Sequence, residues 1–196
     1  MRNIGMLIFD DVEELDFVGP WEVLGYANQL TGRDRLLTIA ETSRPIRCAK
    51  GLGIVPDAVL GDTPPLDVVL VPGGKGTRRE VGNAVVIDWL RAVSATATWV
   101  TSVCTGSLLL HEAGPARGKR VTTHWSFVES LRARGDITVV DDMRWVRDGN
   151  LVTAAGVSAG IDMALWLVGQ RDSIALARQV QRFIQYEPAP PYGAEV

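Results

Sequence analysis

Short uncharged runs of strand length, each leading through a turn into a helix-like stretch, constrain this chain more than any other feature. IGMLIF near the start, the four residues Val68 to Val71 and the β-branched run before Cys104 carry no charge, as strands covered on both faces require. Alternation of such runs with helical ones predicts an α/β fold whose mostly parallel sheet has helices on both faces. In order, IGMLIF is a first strand, and Gly19-Pro20 opens a helix over WEVLGYANQL, with proline suited to a first turn. LLTIAET is a second strand, and in RPIRCAKGLGIVPDAVL the glycines Gly51 and Gly53 suggest a small hairpin beside the main sheet. Helices follow over Ala84 to Ser94 and SFVESLRARG, with the short strand KRVTTHW between them. ITVVDD and MRWVRDGNLVTAAG read as strands, the latter folded at Asp148-Gly149, so the sheet should be mixed. A buried helix over Ser158 to Gln170 and another over Ala175 to Gln185 precede EPAPPYG, where regular structure should stop.

A chain of 196 residues, 46% hydrophobic, fits a single domain over 1–196. Its net charge of -3 and lack of any basic run interleaved with aromatics argue against a nucleic-acid partner. The apolar start is too short for a secretory leader or a membrane span, so no membrane association is expected. Cys48 and Cys104 are the two cysteines, too few for a disulfide framework, which fits a reducing cytoplasm. Two histidines and two cysteines without ligand spacing argue against zinc or another metal. Trp89, Trp99, Trp145 and Trp166 are better explained as core or interface anchors than as a ligand cage.

VTSVCTGSLLL places Cys104 where a strand turns sharply into a helix. Such a turn holds its residue at the carboxyl edge of the sheet, and the first helical amides favour thiolate, lowering the pKa from its usual value of about 8.5. Cys104 is then a nucleophile, although an ordinary buried core cysteine has the same residue type at the same depth. Cys48, in the hairpin region, reads as a buried thiol without chemistry. Pro72-Gly73-Gly74 ends another strand and could offer bare amides to developing negative charge, or could simply be a tight turn. GGKG lacks the spacing of dinucleotide and P-loop fingerprints, so no nucleotide site is expected. His124 ends the KRVTTHW strand, where it could approach the thiolate or pack near the surface.

ELDFVGPWEVL, DVVLVPGG, VTSVCTGSLLL, TTHW and RDGNLVTAAGVSAGIDMAL, in this order and at these distances, resemble the ThiJ/PfpI superfamily over nearly the whole chain. The resemblance implies a class I glutamine amidotransferase-like domain with a flavodoxin-like three-layer α/β sandwich, and a homodimer. It carries the elbow nucleophile onto Cys104, the acidic partner onto Asp16, and an oxyanion-stabilising amide onto Gly74, with Thr105 following the nucleophile. Many members have histidine after the cysteine and glutamate at the acidic position. Thr105 and Asp16 in those places argue for the branch that hydrates isonitriles, which needs no cofactor and acts on a small molecule. His124 is a second-tier substrate-binding candidate. In that chemistry thiolate attack and protonation at the isonitrile carbon give a thioimidate, and water then releases a formamide. Asp16 would relay protons, its pKa raised by the thiolate beside it, unless it merely caps the helix ahead of Gly19-Pro20. Two other readings carry weight: a ligand-sensing domain related to AraC-type regulators, for whose DNA-binding module the 196 residues leave no room, and a redox or stress-response protein in which Cys104 is oxidised to a sulfinate.

Overall fold

The computed structural model describes residues 1–188, so the part of EPAPPYG from 189 on lies outside the described residues. A seven-stranded sheet forms the middle layer, in the order β10-β11-β7-β6-β1-β2-β5. Here β1 is Arg2–Leu7, β2 is Asp34–Ala40, β5 is Ala58–Val59, β6 is Val68–Val71, β7 is Trp99–Val103, β10 is Trp145–Asp148 and β11 is Leu151–Ala154. All neighbours in it run parallel except β10, which folds back on β11 through a turn at Gly149-Asn150, one residue later than expected because Asp148 still pairs with Leu151. The sheet is mixed, as expected. The central strands are buried along most of their length, Val68–Val71 completely so, and this is why their sequences do not alternate.

Helices cover both faces of the sheet and complete the flavodoxin-like sandwich. α1 (Glu14–Thr31), α6 (Ala159–Arg171) and α7 (Ile174–Phe183) pack on one another in one layer. α2 (Thr77–Glu80), α3 (Ala84–Thr96) and α4 (Gly106–Ala113) form a second group, and α5 (Val128–Arg132) packs on a small sheet of its own. The expected hairpin exists as β3 (Ile46–Arg47) paired antiparallel with β4 (Gly53–Ile54), and Cys48 is buried in its loop. Trp99 and Trp145 both pack their rings on Trp166 at one end of the sheet, and Trp89 is partly buried against the core, consistent with anchoring.

Two expectations need correction. α1 begins at Glu14, so Pro20 lies inside the helix rather than in its first turn. Proline there cannot donate to the carbonyl of Asp16, four residues back, a cost offset by burial of Pro20 against Gly160 of α6. KRVTTHW contributes only β8 (Arg120–Val121), which pairs with β9 (Thr138–Val139) outside the main sheet. Beside the main sheet its amides are taken by side chains rather than by a strand: the Arg120 N–H donates to Asp148 Oδ2 and the Thr122 N–H to Thr153 Oγ1.

The order reverses at β1, which has β2 on one side and β6 on the other. At such a switch point the connections leave the carboxyl ends of adjacent strands in opposite directions and open a crevice. The segments leaving β1, β6 and β7 meet there.

Candidate active site

Cys104 sits one residue past β7 with φ of 57°, in the left-handed region that a side chain bearing Cβ enters at a cost of about 1–2 kcal/mol. The strain is held by what surrounds it. The Cys104 N–H donates to the Ala154 carbonyl (3.0 Å), and its own carbonyl accepts from the hydroxyls of Thr123 (2.9 Å) and Ser107 (3.1 Å). Gly106 makes the sharp entry into α4 possible, because a Cβ at that residue would lie 2.0 Å from the Val71 carbonyl oxygen. The strand-turn-helix elbow read from the sequence is therefore present.

Asp16 reaches the elbow from the first turn of α1 and is fully buried. Its Oδ2 accepts from the Gly73 N–H (2.8 Å), at the end of β6, and not from amides of its own helix. The capping alternative thus falls: the N-terminal residue of α1 has no side-chain cap, and Asp16 is committed to a partner 57 residues away. Asp16 Oδ1 makes no hydrogen bond among the described residues and belongs to a carboxyl group that faces the Cys104 thiol. A buried polar atom left without a partner is costly, and at a reactive centre it marks where a substrate or water is to be met.

Burial raises the Asp16 carboxyl to about 7, helped by Glu13 and opposed by the Gly73 N–H, the thiol and Lys50. The upward direction agrees with the sequence reading, but the leading cause is loss of water rather than repulsion from a thiolate. For Cys104 the expected direction is overturned. Burial pushes the thiol up to about 12 and the Asp16 carboxylate adds to the rise, outweighing the backbone N–H and hydroxyl of Thr105, which favour thiolate. The elbow amide acts as anticipated; the solvent it displaces matters more. Cys48 is likewise raised, to about 11, by burial and nearby carboxylates.

The other three candidates also converge. The Gly74 N–H donates to Thr105 Oγ1 (3.1 Å), so this amide reaches the nucleophile through the threonine hydroxyl. Thr105 Oγ1 also lies 3.1 Å from the hydroxyl of Thr77, which is itself buried and bonds the Gly74 carbonyl at 2.8 Å. His124 approaches from the opposite wall: a Cβ placed on Gly156 would stand 3.0 Å from His124 Cδ2 and 3.3 Å from Cys104 Cβ. The histidine does not end a strand of the main sheet. Its Nδ1 lies 2.8 Å from Ser126 Oγ and caps the short turn Trp125–Phe127. Sequence reasoning missed Thr77 and Arg78, whose side chains bond Thr105, because TRRE reads as an ordinary solvated helix start.

An elbow cysteine, a buried carboxyl and a glycine turn, carried by the segments that leave three adjacent strands of a flavodoxin-like sandwich, agree with the comparisons to known proteins. The DJ-1/PfpI family profile matches residues 2–170. The chain belongs to the DJ-1/PfpI family. Within that family it is 41% identical over 192 residues to isonitrile hydratase of Pseudomonas putida, covering 98% of this chain and 82% of that one. It is 30% identical over 188 residues to the HTH-type transcriptional regulator GbdR of Pseudomonas aeruginosa, covering 95% of this chain and 51% of the regulator. A solved ThiJ/PfpI family protein from Pseudomonas syringae superposes with a TM-score of 0.90 at 35% identity, covering all of this chain and 79% of the other. Among the described residues no helix is long and apolar enough to cross a membrane, and no group of three or more metal-ligating side chains converges.

Proposed function

We propose that this DJ-1/PfpI protein hydrates isonitriles to N-substituted formamides, using Cys104 as nucleophile and Asp16 as proton relay. The observation that carries the reading is the buried Asp16 carboxyl, with Oδ1 unpartnered and its pKa near 7, facing the elbow thiol in a chain 41% identical to an isonitrile hydratase. Between the titrations of Asp16 and Cys104 the pair holds a single proton, on sulfur, with the carboxylate free to take it.

The terminal carbon of an isonitrile is unusual in accepting both a proton and a nucleophile. As sulfur bonds to that carbon, the thiol proton passes through Asp16 Oδ1 to the same carbon, giving R–N=CH–S–Cys with no atom gained or lost. Water then adds to the thioimidate carbon, the carbon–sulfur bond breaks, and R–NH–CHO leaves with the thiol restored. Gly73 holds the carboxyl in place throughout by its N–H. The Thr105 N–H steadies negative charge on sulfur, and the Gly74 amide acts on it through the Thr105 hydroxyl. His124, which with Cys104 flanks Gly156, would meet part of the organic group.

The single-proton state forms as Asp16 ionises, so kcat/KM should rise about tenfold per pH unit below about 7 and level off above it. Formamide release from a panel of alkyl and aryl isonitriles, followed across pH 5 to 9, checks both the reaction and this sign. Activity that falls as pH rises through 7 would mean that Asp16 must enter the reaction protonated.

A second reading, ligand sensing without turnover, is favoured by the match to the regulator over nearly all of this chain. The same assay separates the two, since a sensor binds without releasing formamide.

A further inference from the structure

Arg78 is the second residue of α2, the short helix that follows the Gly73-Gly74 turn. Its Nη1 donates to the Gly74 carbonyl (3.0 Å), Thr77 Oγ1 (3.0 Å) and Thr105 Oγ1 (3.3 Å). Its guanidinium carbon stands 4.8 Å from the centre of the Phe127 ring. Thr105 follows the nucleophile and Phe127 ends the short turn that His124 caps, so one guanidinium links the elbow to the His124 segment. A planar cation held by hydrogen bonds on one edge and by an aromatic face on another has little freedom left.

Three of the cations around this arginine are matched by carboxylates. Arg79 pairs with Asp11 and Glu80, Arg44 with Asp10, and Lys50 with Glu13. Arg78 has no carboxylate partner among the described residues, and all its hydrogen bonds there come from Nη1. The Nε and Nη2 donors are left over. Those two N–H groups form the side of the fork that grips both oxygens of a carboxylate. The acidic group nearest the thiol, Asp16, is buried and tied to Gly73, and Glu13 is matched by Lys50, so neither competes for the guanidinium.

We propose that Arg78 is a specificity residue that selects isonitriles bearing a carboxylate a short spacer away from the reacting group. The Nε–Nη2 edge holds the two carboxylate oxygens while the isonitrile carbon meets Cys104. This rests on the hydration reading for its reaction, but the recognition of negative charge beside the thiol can be measured without it.

Iodoacetate and iodoacetamide place a carboxylate or a neutral amide on the same small alkylating carbon. The ratio of their rates at Cys104, read by mass spectrometry of the peptide, cancels any change in the thiol itself. In the wild type the iodoacetate-to-iodoacetamide ratio should exceed that of a small free thiol by about tenfold, the worth of one charge-assisted contact at a partly solvated site. Arg78→Gln should return it to the free-thiol value, and Arg78→Lys, which keeps the charge, should retain a good part of it. A wild-type ratio no higher than the free thiol's, or one that Arg78→Gln leaves unchanged, overturns the proposal. Alongside, a carboxylate-bearing isonitrile and its methyl ester are compared as substrates, with the acid preferred through a lower KM in the wild type and the preference lost in Arg78→Gln. Turnover of both with the same preference in the two proteins overturns the role of Arg78 and leaves hydration standing. No turnover of either, with the alkylation preference intact, overturns hydration and supports Arg78 as an anion-recognising residue.

Discussion

Replacing Asp16 by asparagine should slow isonitrile hydration by about 10²- to 10⁴-fold in a protein that still folds. The asparagine carbonyl can keep the hydrogen bond from the Gly73 N–H, so the local geometry survives; what disappears is a group able to take a proton from sulfur and give it to carbon. Thiol reactivity should move the other way. The Asp16 carboxylate is one of the causes that raise the Cys104 pKa, so its removal lowers that pKa and speeds alkylation by iodoacetamide above pH 7. Stability should also increase. Asp16 titrates near 7 in the folded protein against an ordinary value of 3.8, so between those values the native state holds a proton that the unfolded state has released. Native stability therefore falls as pH rises through this window, by up to about 4 kcal/mol for a shift of this size. Asparagine carries no such penalty, and the melting temperature of Asp16→Asn should exceed that of the wild type by more at pH 8 than at pH 5. Slower turnover, faster alkylation and higher stability in one variant would be hard to obtain from a residue that only caps a helix. Undiminished turnover would remove Asp16 from the mechanism.

Cys104→Ser should lose hydration altogether, by at least about 10⁴-fold, because the hydroxyl keeps the shape of the side chain while its oxygen is a far weaker nucleophile at neutral pH. Serine can occupy the elbow at the same φ and leave the bonds of the Cys104 backbone to Ala154, Thr123 and Ser107 in place. The fold should therefore persist, which circular dichroism and the melting temperature would check beside the formamide assay. Appreciable turnover by Cys104→Ser would shift the nucleophile elsewhere, and the buried Cys48 in its hairpin offers no better seat.

Much of this arrangement was legible in the chain because the features that build it are local. An apolar run marks β6 and uncharged runs mark β7 and most of β1, and a β-branched strand running into Thr105-Gly106 marks the elbow. The family resemblance joins Asp16, Gly74 and Cys104, which lie far apart in sequence on segments that leave the neighbouring strands β1, β6 and β7. Features set by distant neighbours were not legible. Gly19-Pro20 reads as a helix boundary by itself, whereas α1 starts at Glu14 and its proline packs against Gly160 of α6. The direction of the Cys104 pKa is set by distant residues too. The helix amide beside the thiol can be inferred from VTSVCTGSLLL, whereas the burial that outweighs it is made by residues from several segments. Nothing in TRRE signals that the Arg78 guanidinium bonds Thr105, 27 residues away.

The covalent step is the centre of the mechanism and can be observed directly. Wild-type protein mixed with excess isonitrile and quenched within the first turnovers should show, by intact mass and then by peptide mapping, a gain at Cys104 equal to the whole isonitrile molecule. The gain should decay as N-substituted formamide appears. Formamide produced at full rate with no such adduct, or an adduct found at Cys48 while Cys104 stays free, would contradict the thioimidate mechanism.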